Sequence, residues 1–167
     1  GLHTAPVIYL DFKSMYPSIF IAFNLCPTTL VSKKTKEHEN LEFVKVPTDA
    51  NFVSKKIKEG IIPRTIKFLI DERDRVRKQA KTIKDRDLRK VFEAKQIALK
   101  YMTNSFYGYT GYDRARLYLL EISNTITACG RLLIQKTKEI VEKDSQLKVI
   151  YGDTDSIMVK TNAHDTD

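Results

Sequence analysis

Residues 149–159 read Val-Ile-Tyr-Gly-Asp-Thr-Asp-Ser-Ile-Met-Val, an apolar run interrupted at its centre by two carboxylates, Asp153 and Asp155. Two apolar segments separated by Gly-Asp-Thr-Asp are typical of a β-hairpin whose turn carries the acidic side chains. Because Asp is common in turns, an isolated Asp-Thr-Asp would indicate only an ordinary turn. Ionised carboxylates beside apolar strands are costly unless a positive charge compensates them. The pattern therefore favours a hairpin at which a divalent cation binds.

A third carboxylate, Asp11, lies in a similar setting near the other end of the chain. The segment Val7 to Phe12 (VIYLDF) predicts a short buried strand that carries Asp11. Asp11 can meet Asp153 and Asp155 only if this first strand pairs beside the last hairpin. That pairing predicts an α+β fold: a small antiparallel sheet with a helical excursion between its strands.

The middle of the chain has mainly helical periodicity. A short helix is predicted to begin near Ser14, and Pro63 opens the first of two long helices, which a polar turn at residues 84–87 joins into an antiparallel hairpin. Gly108 and Gly111 are predicted to end that hairpin, while residues 30–58 have only weak strand or loop character. The predicted helices are 14–24, 63–83, 88–105 and 121–143. The packed side of the second long helix is predicted to consist of Leu88, Val91, Phe92, Lys95 (through its aliphatic stem), Leu99 and Met102.

Length and composition indicate a globular domain. The chain has 167 residues, 42% of them hydrophobic and 30% charged, which is ordinary for such a domain. No apolar run reaches the length of about 18 residues that a membrane span requires, and no signal-peptide pattern is present. Cys26 and Cys129 have no metal-ligand spacing and lie in apolar contexts. We expect buried, reduced thiols and a reducing compartment; a disulfide between them is the alternative.

The positive charge is concentrated in one segment. The net charge is +8, yet residues 55–100 alone contain 16 Lys or Arg against 7 Asp or Glu, a difference of +9. Such a segment is typical of a surface that faces phosphates, and equally of a solvated helical face. Composition alone does not decide between the two.

Three motifs resemble those of family B DNA polymerases. Residues 11–19 (DFKSMYPSI) resemble the first palm motif, residues 100–108 (KYMTNSFYG) the fingers motif, and residues 151–156 (YGDTDS) the second palm motif. They occur in the family's order, and the resemblance extends from Val7 to about Lys160. The sequence of residues 104–111 (NSFYGYTG) is most similar to that of archaeal members.

The resemblance implies a metal-dependent active site. Asp11 and Asp155 match the principal ligands of two Mg²⁺ ions about 3.5–4 Å apart, for which Mn²⁺ can substitute. Asp153 matches a supporting carboxylate, and the main-chain carbonyl of Phe12 is implied as a further ligand. The three aspartates are the implied catalytic residues.

The resemblance also implies a nucleotide site. Arg73, Arg77 and Lys100 would contact the β- and γ-phosphates, with Asn104 helping to close the site. The alternative for the two arginines is simple surface pairing with Asp71 and Asp74. Tyr16 would exclude a 2′-hydroxyl as a steric gate. Backbone N–H groups of the segment Ser14, Met15 and Tyr16 would bind the triphosphate, and Tyr107 and Gly108 would lie under the nascent base pair.

The expected function is that of a template-directed DNA polymerase catalytic core (EC 2.7.7.7), which adds dNTPs to a primer 3′-end in DNA replication. Residues 1–60 and 108–167 would form parts of the palm and residues 61–107 the fingers. Exonuclease, N-terminal and thumb domains would be absent, so we expect a fragment, which could be inactive in isolation. Expected partners are primer–template DNA, dNTPs and, through missing regions, a sliding clamp; no membrane association is expected. The location would be cytoplasmic in an archaeon and nuclear in a eukaryote. The alternative function is a polymerase-derived domain that binds nucleic acid without catalysis.

Overall fold

The computed structural model describes residues 5–31 and 41–162. These residues form four helices and two small antiparallel sheets, which confirms the α+β class. The strands are β1 (Val7–Asp11), β2 (Leu30–Val31), β3 (Phe43–Val44), β4 (Asn51–Val53), β5 (Leu147–Asp153) and β6 (Ser156–Thr161). The helices are α1 (Met15–Ala22), α2 (Ile61–Thr82), α3 (Arg86–Gly111) and α4 (Leu120–Val141). By packing, the chain divides into two units, residues 1–15 with 127–167 and residues 16–126.

The first unit contains a three-stranded sheet in the order β1-β6-β5. Strand β6 is central and pairs antiparallel with both neighbours, so strands from opposite ends of the sequence become adjacent. This is the predicted pairing of the first strand with the last hairpin. It places Asp11 opposite Ser156 on one side, and Asp153 opposite the same Ser156 on the other.

One face of this sheet is packed and the other is open. Ile157 and Val159 of β6 are no more than 2% exposed, and a cavity of about 190 Å³ lies between the sheet and Ile134 and Thr137 of α4. The predicted burial of β1 is wrong, because all five of its residues are exposed. Among the described residues β1 pairs only with β6, so it is an edge strand.

The second unit contains a sheet that the sequence only weakly indicated. Strands β2, β4 and β3 pair antiparallel in that order, and Phe52 and Val53 of β4 are buried. The strands are two or three residues long, too short for alternation to be recognised in a Lys-rich segment. The part of the predicted weak strand or loop at residues 32–40 lies outside the described residues.

The long helices α2 and α3 pack against each other as the predicted hairpin. Asp85 caps α3, since its Oδ1 accepts the backbone N–H of Leu88 at 2.8 Å. Two details differ from prediction. Helix α3 continues through Gly108 to Gly111, and its predicted packed side is only partly right. Phe92 and Leu99 are half-buried, whereas Leu88, Val91 and Met102 are exposed and Thr103 is buried. Charged and apolar residues alternate too loosely along α3 for its sequence to fix the buried side.

Both cysteines are buried and free, as predicted. Burial raises the pKa of the Cys129 thiol to about 11, so this thiol is protonated at neutral pH. Within the described residues, no helix is both long and apolar enough to cross a membrane.

Helix α2 offers a test of the packing within one element. Ile66 is fully buried, whereas Phe68 is 62% exposed. We expect Ile66→Ala to lower the free energy of unfolding by about 2–5 kcal/mol, because it leaves a cavity, and Phe68→Ala to change it by less than about 0.5 kcal/mol. Equilibrium urea unfolding measures both values, and equal effects would contradict the packing of α2.

Candidate active site

Asp11, Ser156 and Asp153 form a row across the ends of the three strands. Directly paired residues of antiparallel strands point to the same face, so the two carboxylates lie on one face with Ser156 between them. Since neighbouring strands are about 4.8 Å apart, the backbones of Asp11 and Asp153 are separated by roughly 10 Å. Both residues are exposed, whereas Ser156 is buried.

Asp155 lies in the two-residue loop between β5 and β6 and is hydrogen-bonded to the residue that follows β1. The backbone N–H of Phe12 donates to its carbonyl at 2.8 Å. Asp155 is therefore adjacent to the segment Asp11–Phe12, while Asp153 is the last residue of β5, outside the loop. The loop's other residue, Thr154, has φ 46° and donates through Oγ1 to Asp153 Oδ1 at 3.0 Å.

The described residues contain no group of three or more His, Cys, Asp or Glu side chains arranged to hold a metal ion. Asp11 and Asp155 instead lie on adjacent backbone segments, which the hydrogen bond from the Phe12 N–H to the Asp155 carbonyl joins, and Asp153 lies on the far strand β5. Mg²⁺ commonly binds to one or two carboxylates and completes its shell with waters and substrate phosphates. The hard oxygen donors present here fit that pattern of binding.

Tyr9 is a site residue that the sequence reasoning missed. Its hydroxyl donates to Asp11 Oδ2 at 3.4 Å, and the residue is 58% exposed on the same face as Asp11. Residues two apart in a strand share a face, so the spacing of Tyr9 and Asp11 could have indicated this contact. Met158 and Tyr151 continue the exposed row beside the carboxylates.

The second unit carries the cationic residues on its helical hairpin. Arg73 is on α2, and its side chain reaches α3, where its Nε donates to Gln96 Oε1 at 3.4 Å. Its alternative partner Asp71 is bonded instead to Lys67 at 2.8 Å, a hydrogen bond that raises the pKa of Lys67. Arg77 is only loosely paired with Asp74, at 4.0 Å.

Lys100, Asn104 and Gly108 follow one another at four-residue intervals on α3, and all three are exposed. This spacing places them along one side of the helix, away from the buried Thr103 and Thr110. A Cβ atom added to Gly108 would have no atom within 4 Å. This side of α3 is therefore open to a ligand.

Tyr16 and Tyr107, both within the second unit, are in ring contact. Their ring centroids are 4.4 Å apart, with the planes inclined by 37°. Both side chains are partly buried. Helix α1 and helix α3 thus present the predicted gate residue and the predicted base-pair residue as one aromatic pair.

The segment between β1 and α1 is a tight turn. Ser14 has φ 54°, and Met15, the first residue of α1, is 4% exposed. The first helical N–H groups have no partner within a helix, which is the property expected of a backbone that binds phosphate.

Comparison with known proteins places the chain in a family. The model of DNA polymerase family B matches residues 1–167, and the chain belongs to this family. Its relatives include the DNA polymerase delta catalytic subunits of Mesocricetus auratus, 39% identical over 171 residues, and of Caenorhabditis elegans, 40% identical over 171 residues. Each alignment covers 96% of this chain and 16% of the relative, so the chain spans about one sixth of the length of these proteins.

A solved structure agrees with the fold. The family B DNA polymerase of the hyperthermophilic archaeon Pyrobaculum calidifontis is similar at a TM-score of 0.77 and 34% sequence identity, over 95% of this chain and 21% of that one. The family resemblance predicted from the three motifs is confirmed. Since eukaryotic and archaeal proteins both match, the suggested proximity to archaeal members stays a prediction.

The loop conformation yields a stability prediction. A β-branched residue in the left-handed region is strained by about 1–2 kcal/mol, and Asn tolerates this region better. We expect Thr154→Asn to raise the free energy of unfolding by about 1 kcal/mol. Thr82→Asn, at the helical end of α2, should bring no gain. Denaturant unfolding measures both variants; a loss of stability in Thr154→Asn would contradict the strain.

Proposed function

We propose that this chain is the catalytic segment of a DNA-directed DNA polymerase that adds dNTPs to a primer 3′-end. The single observation that supports this most is the pairing of β1 with β6, which brings Asp11 beside Asp155 in a chain of this family. On this proposal residues 1–60 and 108–167 belong to the palm and residues 61–107 to the fingers. The boundary after residue 107 falls within α3.

Asp11 and Asp155 would be the principal holders of Mg²⁺, assisted by the carbonyl of Phe12 and supported by Asp153. When bound, the two ions would activate the primer 3′-hydroxyl and stabilise the charge on the triphosphate. The protein's own contribution would be to position the carboxylates: the Phe12–Asp155 backbone hydrogen bond would hold the two segments together, and the Tyr9 hydroxyl would orient Asp11. Ser156 would keep Asp153 apart from Asp11 and so limit their repulsion.

Arg73, Arg77, Lys100 and Asn104 would bind the nucleotide. Charge-assisted hydrogen bonds from guanidinium and ammonium groups suit a triphosphate. Arg77 is the arginine more ready to do this, because its contact to Asp74 is long, whereas Arg73 must exchange Gln96 for phosphate. Backbone N–H groups of the segment Ser14, Met15 and Tyr16 would add to this cradle.

Tyr16 would select the sugar and Tyr107 would hold the Tyr16 ring in place. A ring that fills the space under a deoxyribose leaves no room for a 2′-hydroxyl, the group that distinguishes RNA precursors from DNA precursors. The 4.4 Å ring contact with Tyr107 favours a single orientation for Tyr16. Gly108, with an open side, would admit the nascent base pair.

Primer–template DNA and dNTPs are the proposed substrates, with a sliding clamp as a partner of the whole protein. The setting would be DNA replication, in the cytoplasm of an archaeon or the nucleus of a eukaryote. A domain that binds nucleic acid without catalysis remains the alternative, and the first test below separates the two.

The carboxylates are tested by primer extension with the full-length protein. We expect Asp11→Asn and Asp155→Asn each to lower the rate by about 100-fold or more, because bound metal contributes several kcal/mol to catalysis. Asp153→Asn should have a smaller effect, and Asp113→Asn, an exposed residue between α3 and α4, none. Near-normal extension by both principal variants would favour the non-catalytic alternative.

The cations are tested by steady-state kinetics at varied dNTP concentration. Hydrogen bonds between charged groups contribute about 1.5–3 kcal/mol, so Arg77→Ala and Lys100→Ala should raise the apparent KM for dNTP by about tenfold or more. Lys78→Ala is the matched control, since it is exposed on another side of α2. Unchanged KM and kcat in the first two variants would leave these residues as surface charges.

The gate is tested by the ratio of dCTP to CTP incorporation. Tyr16→Ala should lower this discrimination by about tenfold or more, since it opens the space for a 2′-hydroxyl. Tyr16→Phe keeps the ring and should keep the discrimination. Equal ratios in the wild type and Tyr16→Ala would refute the role of Tyr16.

A further inference from the structure

Asn24 is fully buried just after α1, and its side chain joins three segments of the second unit. Its Nδ2 donates to the carbonyl of Val53 at 2.7 Å and to that of Lys58 at 2.9 Å. Its Oδ1 accepts the backbone N–H of Gly60 at 2.8 Å. Val53 ends β4 and Gly60 immediately precedes α2. One amide therefore fastens the start of α2 to the end of α1 and to the small sheet.

The backbone and the hydrogen bonds together select asparagine at this position. Asn24 has φ 53°, a left-handed conformation that among side-chain-bearing residues Asn and Asp adopt most readily. An ionised Asp would offer only acceptors to the two carbonyls, and Gly would offer no side chain. Asn alone combines this conformation with two donated bonds and one accepted bond.

The start of α2 lies in direct contact with the segment after α1. A Cβ atom on Gly60 would lie 2.7 Å from Cβ of Cys26 and 3.2 Å from Oδ1 of Asn24. The backbone N–H of Ile62 also points to Cys26 Sγ, at 3.5 Å. Glycine at position 60 is required for this close approach, because any side chain would displace α2.

We propose that Asn24 is a positioning residue that fixes the direction of α2 relative to α1. Helix α1 carries Tyr16, and α2 carries Arg73 and Arg77, so Asn24 would set the distance between the sugar-selecting ring and the phosphate-binding guanidinium groups. This inference rests on the proposed function of those three residues.

The length of α2 amplifies small errors at its base. Arg73 and Arg77 lie 13 and 17 residues beyond Gly60, which is about 20–25 Å along a helix that rises about 1.5 Å per residue. A tilt of about 5° at Gly60 would then move the arginines by roughly 2 Å. Displacements of about 1 Å are enough to reduce catalysis about 100-fold.

The experiment uses three variants of the full-length protein. Asn24→Asp keeps the shape and the bond from Gly60 but loses both donated bonds. Asn24→Gly keeps the backbone conformation and loses all three bonds. Gly60→Ala leaves Asn24 intact and displaces α2 through the contact with Cys26. The control is Asn51→Asp, a partly buried asparagine of β4.

The measurement is single-turnover dNTP incorporation, normalised to active sites, together with the Kd for primer–template DNA. We expect each variant to raise the apparent Kd for dNTP about tenfold or more, with the DNA Kd unchanged within about twofold. The ratio of dCTP to CTP incorporation should also change, because Tyr16 and the arginines would lose their mutual spacing. The control should match the wild type in all three quantities.

A purely structural role predicts a different result. It would lower the fraction of active sites and leave the normalised constants of the remaining enzyme equal to those of the wild type, an outcome that overturns the inference. Normal constants in Gly60→Ala would also overturn it, since that variant displaces α2 by its contact with Cys26. A wild-type protein that incorporates no dNTP would instead refute the proposed function.

Discussion

The antiparallel pairing of β1 with β6 is the constraint on which the candidate site depends. These strands come from opposite ends of the sequence, and their register places Asp11 opposite Ser156. The backbone bond from Phe12 to Asp155 closes the same edge of the sheet. A slip by one residue would turn Asp11 to the packed face, where Ile157 and Val159 are buried. The buried pair of apolar residues therefore fixes the position of the carboxylates.

In the second unit, the structural requirement is to hold the long helices α2 and α3 in a defined direction. Helices α2 and α3 are long, and many of their residues are exposed. Their ion pairs are mostly local, such as the contact between Arg75 and Glu72 that lowers the pKa of the Glu72 carboxyl. Exposed pairs of this kind contribute little to tertiary structure. Direction must come from the buried base of the hairpin, where Asn24 and Gly60 meet.

The sequence predicted the helices and strands better than it predicted which of their residues are buried. The acidic hairpin, the helical hairpin and the pairing of the first strand with the last were all predicted, because long periodic segments and ordered motifs carry strong signals. The burial of β1 was predicted incorrectly, since an apolar strand composition does not reveal an edge. The packed side of α3 was predicted only in part, because Leu88, Val91 and Met102 are apolar yet exposed. Gln96 and Asn24 were missed because their contacts are to residues distant in sequence. Tyr9 was missed because it precedes the first motif, although its spacing from Asp11 places the two on one face of the strand.

The most direct measurement is a crystal structure of the full-length protein with primer–template DNA, an incoming dNTP and Mg²⁺. We expect metal density in contact with the carboxylates of Asp11 and Asp155, and the triphosphate in contact with Arg77 and Lys100. A metal bound elsewhere, with no contact to Asp11 or Asp155, would contradict the assignment of this sheet edge as the catalytic centre.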